Sequence, residues 1–234
     1  IGAAVAGALS AAVIFTAASA VYRKNRFDLK IGEEKVGSKE YQLCMDLVKY
    51  DVKMEIQKRY DALYGEDFWE QSYEGQYGYE ILADHTVEKI KYIHAVYDLA
   101  EEYGDVSDGS FAAIEKRWRQ KKVEDGEVIY GLKEYTFDLY MQYEISMYKE
   151  IYCNDTDRKG MDLTEEEVAE YYSQGEWVFQ DDGEKADLET ARIAVERELR
   201  EKKYDAMIAQ MTEDLEVSGD LEAVDRFTLD HLKR

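Results

Sequence analysis

Three histidines, two cysteines and a wealth of carboxylates are the groups in this chain with chemistry to offer. His85 and His94 lie on one predicted helix. At about 3.6 residues per turn their spacing points them to nearly opposite sides, so they cannot share a metal ion. His231 stands near the far end without a ligand set, and no H-E-x-x-H spacing occurs, so satisfied or solvated histidines are expected. Cys44 and Cys153 show no C-x-x-C spacing, which excludes a zinc finger or a thioredoxin-like site. Each suits burial as a small hydrophobe, and the two would form a disulfide if the first and fourth helices packed with their sulfurs facing. Nucleophile-elbow, P-loop, dinucleotide and EF-hand patterns are absent. Against 52 Asp plus Glu, chance carboxylate pairs are expected throughout, mostly on solvated helix faces. The residues therefore give no catalytic group, no metal and no cofactor.

The balance of charge excludes further classes. With 30 Lys plus Arg the net charge is -22, and such a surface repels phosphate backbones and anionic lipid, so nucleic acid is not an expected partner. The stretch 1–22 contrasts sharply, since it holds no charged residue. At about 1.5 Å of rise per residue it could span a hydrocarbon core of about 30 Å as a transmembrane anchor. Ala18, Ser19 and Ala20 would equally suit a signal peptidase. Arg23, Lys24 and Arg26 follow, and the positive-inside rule would hold that flank in the cytoplasm.

Proline is absent, which favours long uninterrupted helices, and 20 Tyr supply rings that can be buried with a wet hydroxyl. Residues 27–36 alternate like a short strand or hairpin arm. Ser38 is expected to cap a helix to about Leu63, with Tyr41, Met45, Val48, Val52, Ile56, Tyr60 and Leu63 inward. The connection 64–78 is crowded with Phe68, Trp69, Tyr73 and Tyr77. It reads either as a sticky surface for unfolded peptides or, preferably, as a loop tucked onto the helices by its own rings. A helix from about 79 to 103 ends at Gly104, and Ser110 caps a third to about 123. This third helix is expected to bury Phe111, Ile114 and Trp118 and to show Lys116, Arg117, Arg119, Lys121 and Lys122 to water. After a loop, 124–135, Thr136 opens a fourth helix whose stripe Leu139, Tyr143, Met147 and Ile151 is expected in the core. Thr164 and Glu167 form a capping box for a fifth. Asp187 caps a helix of about thirty residues, long enough to project as an arm or to clamp several shorter ones. Residues 221–232 close the chain as a strand or short helix.

The order of these parts is familiar. I-G-E-E-K-V, then S-K-E-Y at the head of a long helix, the E-V-I-Y-G loop, L-T-E-E-E-V-A-E-Y-Y and a long charged final helix together resemble the SurA/PrsA-like bacterial foldases over about 28–217. That resemblance implies a mainly α fold of the SurA N-terminal or trigger-factor-like kind, closed by the long helix. In the family a parvulin isomerase domain commonly sits between the Y-Y helix and the final helix, but here the gap is too short to hold one. The resulting expected organisation is an anchor or signal at 1–22, a juxtamembrane linker and strand at 23–37, a helical chaperone-like domain at 38–173, a short connection at 174–186, and a long helix and tail at 187–234. The resemblance further implies a non-enzymatic, membrane-tethered, extracytoplasmic chaperone for unfolded or partly folded exported polypeptides, or a secreted one after signal cleavage. Phe68, Trp69, Tyr73, Tyr77 and Trp118 are its expected client contacts. A structural or adaptor subunit of a cell-surface complex and a residual prolyl isomerase are the rival readings.

Overall fold

In the computed structural model residues 27–124, 135–179 and 183–233 are described. The expected anchor at 1–22, its basic flank, and most of the loop 124–135 lie outside them. Seven helices carry this described structure: α1 (Ser38–Tyr60), α2 (Gly78–Glu102), α3 (Phe111–Glu124), α4 (Phe137–Asn154), α5 (Glu165–Gln174), α6 (Leu188–Asp214) and α7 (Leu221–Leu232). The strands are short: β1 (Leu29–Ile31), β2 (Glu34–Val36), β3 (Ser72–Tyr73), β4 (Gln76–Tyr77) and β5 (Val217–Gly219). The chain is mainly helical, as its sequence led us to expect. Among the described residues no helix is long and apolar enough to cross a membrane.

The contacts gather into two units, one formed by the described residues up to Lys91 together with those from Leu215 onward, the other by Tyr92–Asp214. In the first, β1 is the central strand, paired antiparallel with β2 on one side and with β5 on the other. Leu29, Ile31 and Val36 bury their side chains, as the alternating pattern requires. The partner β5 comes from the far end of the chain and has no alternating apolar pattern of its own, which is why its sequence does not announce it. Helix α7 packs back through Phe227, whose ring meets Phe27 at 4.9 Å and Tyr41 at 5.7 Å. The buried hydroxyls of Tyr41 and Thr228 lie 2.6 Å apart and satisfy each other.

Helix α1 buries Tyr41, Cys44, Met45, Val52 and Ile56 at helical spacing. Two details of its ends depart from expectation. Gly37, not Ser38, is the N-cap and makes no side-chain bond, and Asp61 adopts a left-handed φ of 50° that ends the helix before Leu63. That turn throws Leu63 out of the stripe into water at 86% exposure. Helix α2 does stop where Gly104 predicts, with Gly104 at φ 75° and the amide of Asp105 donating back to the carbonyl of Ala100.

Asp225 of α7 is half-buried, and burial, followed by the charges of Glu80 and Asp84, pushes its carboxyl up to about 6. Glu222 adds to that push and Arg226 opposes it. Between about pH 4 and this value the native state keeps a proton that the unfolded chain releases, so the group's contribution to stability falls as pH rises. Asp225→Asn is therefore expected to raise the urea midpoint at neutral pH and to give no such gain at about pH 4. Paired denaturation curves check it.

In the second unit α6 lies along both α5 and α4. It clamps shorter helices, one of the two roles its length suggested. Val168, Trp177, Ala191 and Val195 form one buried cluster with Tyr171, Tyr172 and Leu188 packed around it. Further along α6, Tyr204 meets Tyr152 at 5.4 Å, and Lys149 reaches Asp205 at 2.6 Å. The capping box at α5 forms as read: Thr164 accepts from the Glu167 amide, and the Glu167 carboxylate accepts from the Thr164 amide. Asp187 likewise caps α6 by accepting from the Thr190 amide at 2.8 Å.

Candidate functional site

Polar groups with the geometry for chemistry are concentrated in the second unit, and they are fully occupied. Glu144, buried on α4, accepts four hydrogen bonds: from the Arg117 Nε at 2.8 Å and Nη2 at 2.9 Å, from the Tyr97 hydroxyl at 2.9 Å, and from the Tyr140 hydroxyl at 2.7 Å. Each carboxylate oxygen thus takes two donors, which uses its lone-pair capacity. Arg117 spends its Nη1 on the carbonyl of Asp108 at 2.7 Å. Burial, then the Glu144 charge, drive the Tyr97 hydroxyl well above the ordinary tyrosine range, so it stays a donor. Sequence reading placed Arg117 on a solvated basic face. The reason it turns inward lies on α4, where the carboxylate it pairs with interrupts an otherwise aromatic and apolar buried face.

A second ion pair ties the end of α4 to the loop after α2. Arg158 holds Asp105 through two nitrogens at 2.6 and 2.7 Å, with a third bond to Asp155 at 3.1 Å. Its guanidinium lies 5.1 Å from the Tyr103 ring centre and 5.2 Å from that of Tyr152. Both networks join residues from different helices and loops of this unit. Among the described residues no group of three His, Cys, Asp or Glu could hold a metal ion. His85 lies 3.6 Å from Glu55, and His231 stacks on Phe227 with its Nδ1 2.9 Å from that residue's carbonyl.

Cys44 and Cys153 are free buried thiols, so the disulfide entertained from sequence is not formed. Burial pushes the Cys44 thiol up to about 12 and that of Cys153 up to about 11, which removes thiolate reactivity at neutral pH.

The five aromatic residues expected to contact a client divide. Phe68 and Trp69, in the one-turn helix Phe68–Glu70, are buried and meet edge to face at 5.0 Å. Tyr73, on β3, is buried too and donates to the Phe68 carbonyl at 2.9 Å. These three rings tuck the connection onto its own unit, the preferred of the two sequence readings, so they are not open as the client contacts assigned to them. Gly78 permits this closure, since a Cβ at that position would sit 3.0 Å from the Phe68 carbonyl oxygen. Tyr77 stays open at 44% and stacks on Tyr79 at 5.5 Å. Trp118 is half-buried and spends its Nε1 on the Tyr135 carbonyl at 2.8 Å.

Apart from Tyr77, the large apolar side chains that face water were not those expected to contact a client. On α4 the buried residues are Tyr140, Met141, Tyr148, Tyr152 and Cys153 around Glu144. Leu139, Tyr143 and Ile151 are exposed, with Met147 half-buried between them. The stripe expected in the core is thus the outer one. Both rows have helical spacing, and only the partner of Glu144 decides which turns in. In the first unit Tyr50, Met54, Leu63 and Tyr64 are exposed, with the Lys53 ammonium 4.8 Å over the Tyr50 ring and 5.1 Å over that of Tyr64.

In the second unit the buried ion pairs are thus engaged in holding elements together, and the outer row of α4 is apolar. Over 209 residues the chain is 28% identical to the chaperone for lacto-N-biosidase of Bifidobacterium longum subsp. longum. This protein is similar to a chaperone. The match covers 86% of this chain and 74% of that relative, so it takes in both compact units. No family model matches, and no solved structure matches.

A cleft of about 420 Å³ in the second unit is lined by Tyr171, Gln174, Trp177, Val178, Phe179 and Glu198 among others. It is formed where the chain passes from α5 to α6. Val178 and Phe179 are exposed on its rim, whereas Trp177 is buried and gives its Nε1 to the Tyr172 carbonyl at 3.0 Å. The base of the loop is pinned by the Ala186 amide on the Trp177 carbonyl at 2.8 Å. That closure lets the chain pass from α5 to α6 with no domain between.

Proposed function

We propose that this protein is a chaperone for a dedicated client, a glycoside hydrolase of the lacto-N-biosidase kind, and that it works by apolar contact without covalent chemistry. The observation that carries this reading is the likeness, along 86% of the chain, to a chaperone named for that client. The geometry agrees with it, because the buried ion pairs are consumed in holding helices and apolar side chains of α4 stand exposed. The finer reading follows the resemblance to the SurA/PrsA-like foldases: an exported body, tethered or led by residues 1–22, that meets its client outside the cytoplasm before the client has folded.

The test is refolding of a denatured lacto-N-biosidase with and without the full chain at several-fold excess. Recovered glycosidase activity is expected to rise several-fold without ATP, and an unrelated denatured enzyme is expected to gain much less. Equal recovery with and without the protein would remove the reading. Equal rescue of both enzymes would leave a general holdase and remove the dedicated client.

A further inference from the structure

We infer that the outer face of α4 is the docking surface and that it takes a basic amphipathic segment of the client, an apolar ridge flanked by Lys or Arg. This rests on the chaperone reading and specifies the partner at one place. Leu139, Tyr143, Met147 and Ile151 recur every four residues, so they form one slanting ridge about 18 Å long. Its length suits three to four turns of a helix, or a shorter extended segment. The ridge is rigid, because the opposite face of α4 is locked by the four bonds to Glu144 and by Tyr148 and Tyr152 in the core. A preorganised face loses little entropy on binding. The exposed rings of the first unit differ in that a lysine already lies over two of them.

Charge decides the occupant. The exposed or half-exposed ionised groups on α4 beside the ridge are Asp138 and Glu150. The one basic residue of the helix, Lys149, is tied to Asp205 at 2.6 Å. With a whole-chain charge of -22, an acidic or neutral apolar segment meets repulsion or indifference where a basic one is drawn in. The polar side chains Gln142, Ser146 and Asn154 line one edge of the ridge and can bond to a backbone laid along it.

The experiment uses the full chain and two labelled helical peptides that share a Leu ridge, one flanked by Lys and one by Glu, read by fluorescence anisotropy. The Lys peptide is expected to bind about tenfold or more tightly than its Glu twin, and high salt should narrow the gap. The double variant Leu139→Ser, Ile151→Ser truncates two side chains that are about 40% exposed. It is expected to stay folded with a lowered urea midpoint, since part of each side chain is buried, and to lose about tenfold in affinity for the Lys peptide under conditions where it is folded. Equal binding of the two peptides, or unchanged binding by the variant, overturns the inference. So does a concentration-dependent dimer that the variant abolishes while peptide binding is nil, since the ridge would then meet a second copy of this chain. If the variant refolds the client as well as wild type, the docking surface is wrong and the chaperone reading stands. If wild type binds the Lys peptide through the ridge but never aids the client, the surface stands and the chaperone reading falls.

Discussion

Glu144→Ala is expected to lower the stability of the second unit by about 3–5 kcal/mol, the range found when one partner of a buried ion pair is removed. The carboxylate's side chain is only 4% exposed, so its negative charge is tolerable because Arg117 meets it through two nitrogens. Its loss strands the guanidinium and two buried tyrosine hydroxyls together. Against a typical total of about 5–15 kcal/mol, such a change moves a urea midpoint far or abolishes the transition. Glu144→Gln separates charge from shape. It keeps an acceptor oxygen for some donors but no counter-charge for Arg117, and a loss between wild type and Ala is expected. Urea curves of the three proteins check the order, and a Gln variant as stable as wild type would show that shape alone matters.

The second large effect is expected at Gly219. This residue ends β5 opposite Leu29, with φ at 127°, where L side chains are strained. A Cβ there would lie within van der Waals overlap of the Asp28 carbonyl oxygen, which itself accepts the Asp220 amide at 2.9 Å. Backbone strain of about 1–3 kcal/mol and overpacking of about 1–3 kcal/mol combine against Gly219→Ala. Gly104 is the control: its φ is also positive, at 75°, but nothing lies within 4 Å of its Cβ position. Gly104→Ala should cost the conformational part alone, about 1–2 kcal/mol. Amide exchange along β1 and β5 is expected to accelerate in the first variant and to stay slow in the second.

Much of this architecture could be read from residue order because its causes are local. The capping box of Thr164 and Glu167, the Asp187 cap and the stop at Gly104 each need only neighbours in the sequence. Misreadings arose where the deciding partner was distant. On α4 two apolar rows compete for the inside, and the choice falls to Glu144, whose partner Arg117 is on α3. The short strand β5 owes its existence to the free edge of β1, far back along the chain. By contrast Phe68, Trp69 and Tyr73 are too apolar to stay in water when their own loop can cover them, so the tucked loop preferred from sequence forms and the rings are closed to a client. The ridge proposed for docking was visible as a pattern but assigned to the wrong side of its helix.

The sheet joining β1 to β5 also fixes a timetable. Residues 27–91 wait for 215–233, while the intervening segment holds all it needs for its own core. During synthesis from the N-terminus the inserted body can therefore mature first, and although β1 can pair with β2 at once, its other edge must remain unmatched until Val217–Gly219 has emerged. A nascent chain stalled before Leu215 would present an open β1 edge, and proteolysis should clip it there while sparing the segment already closed.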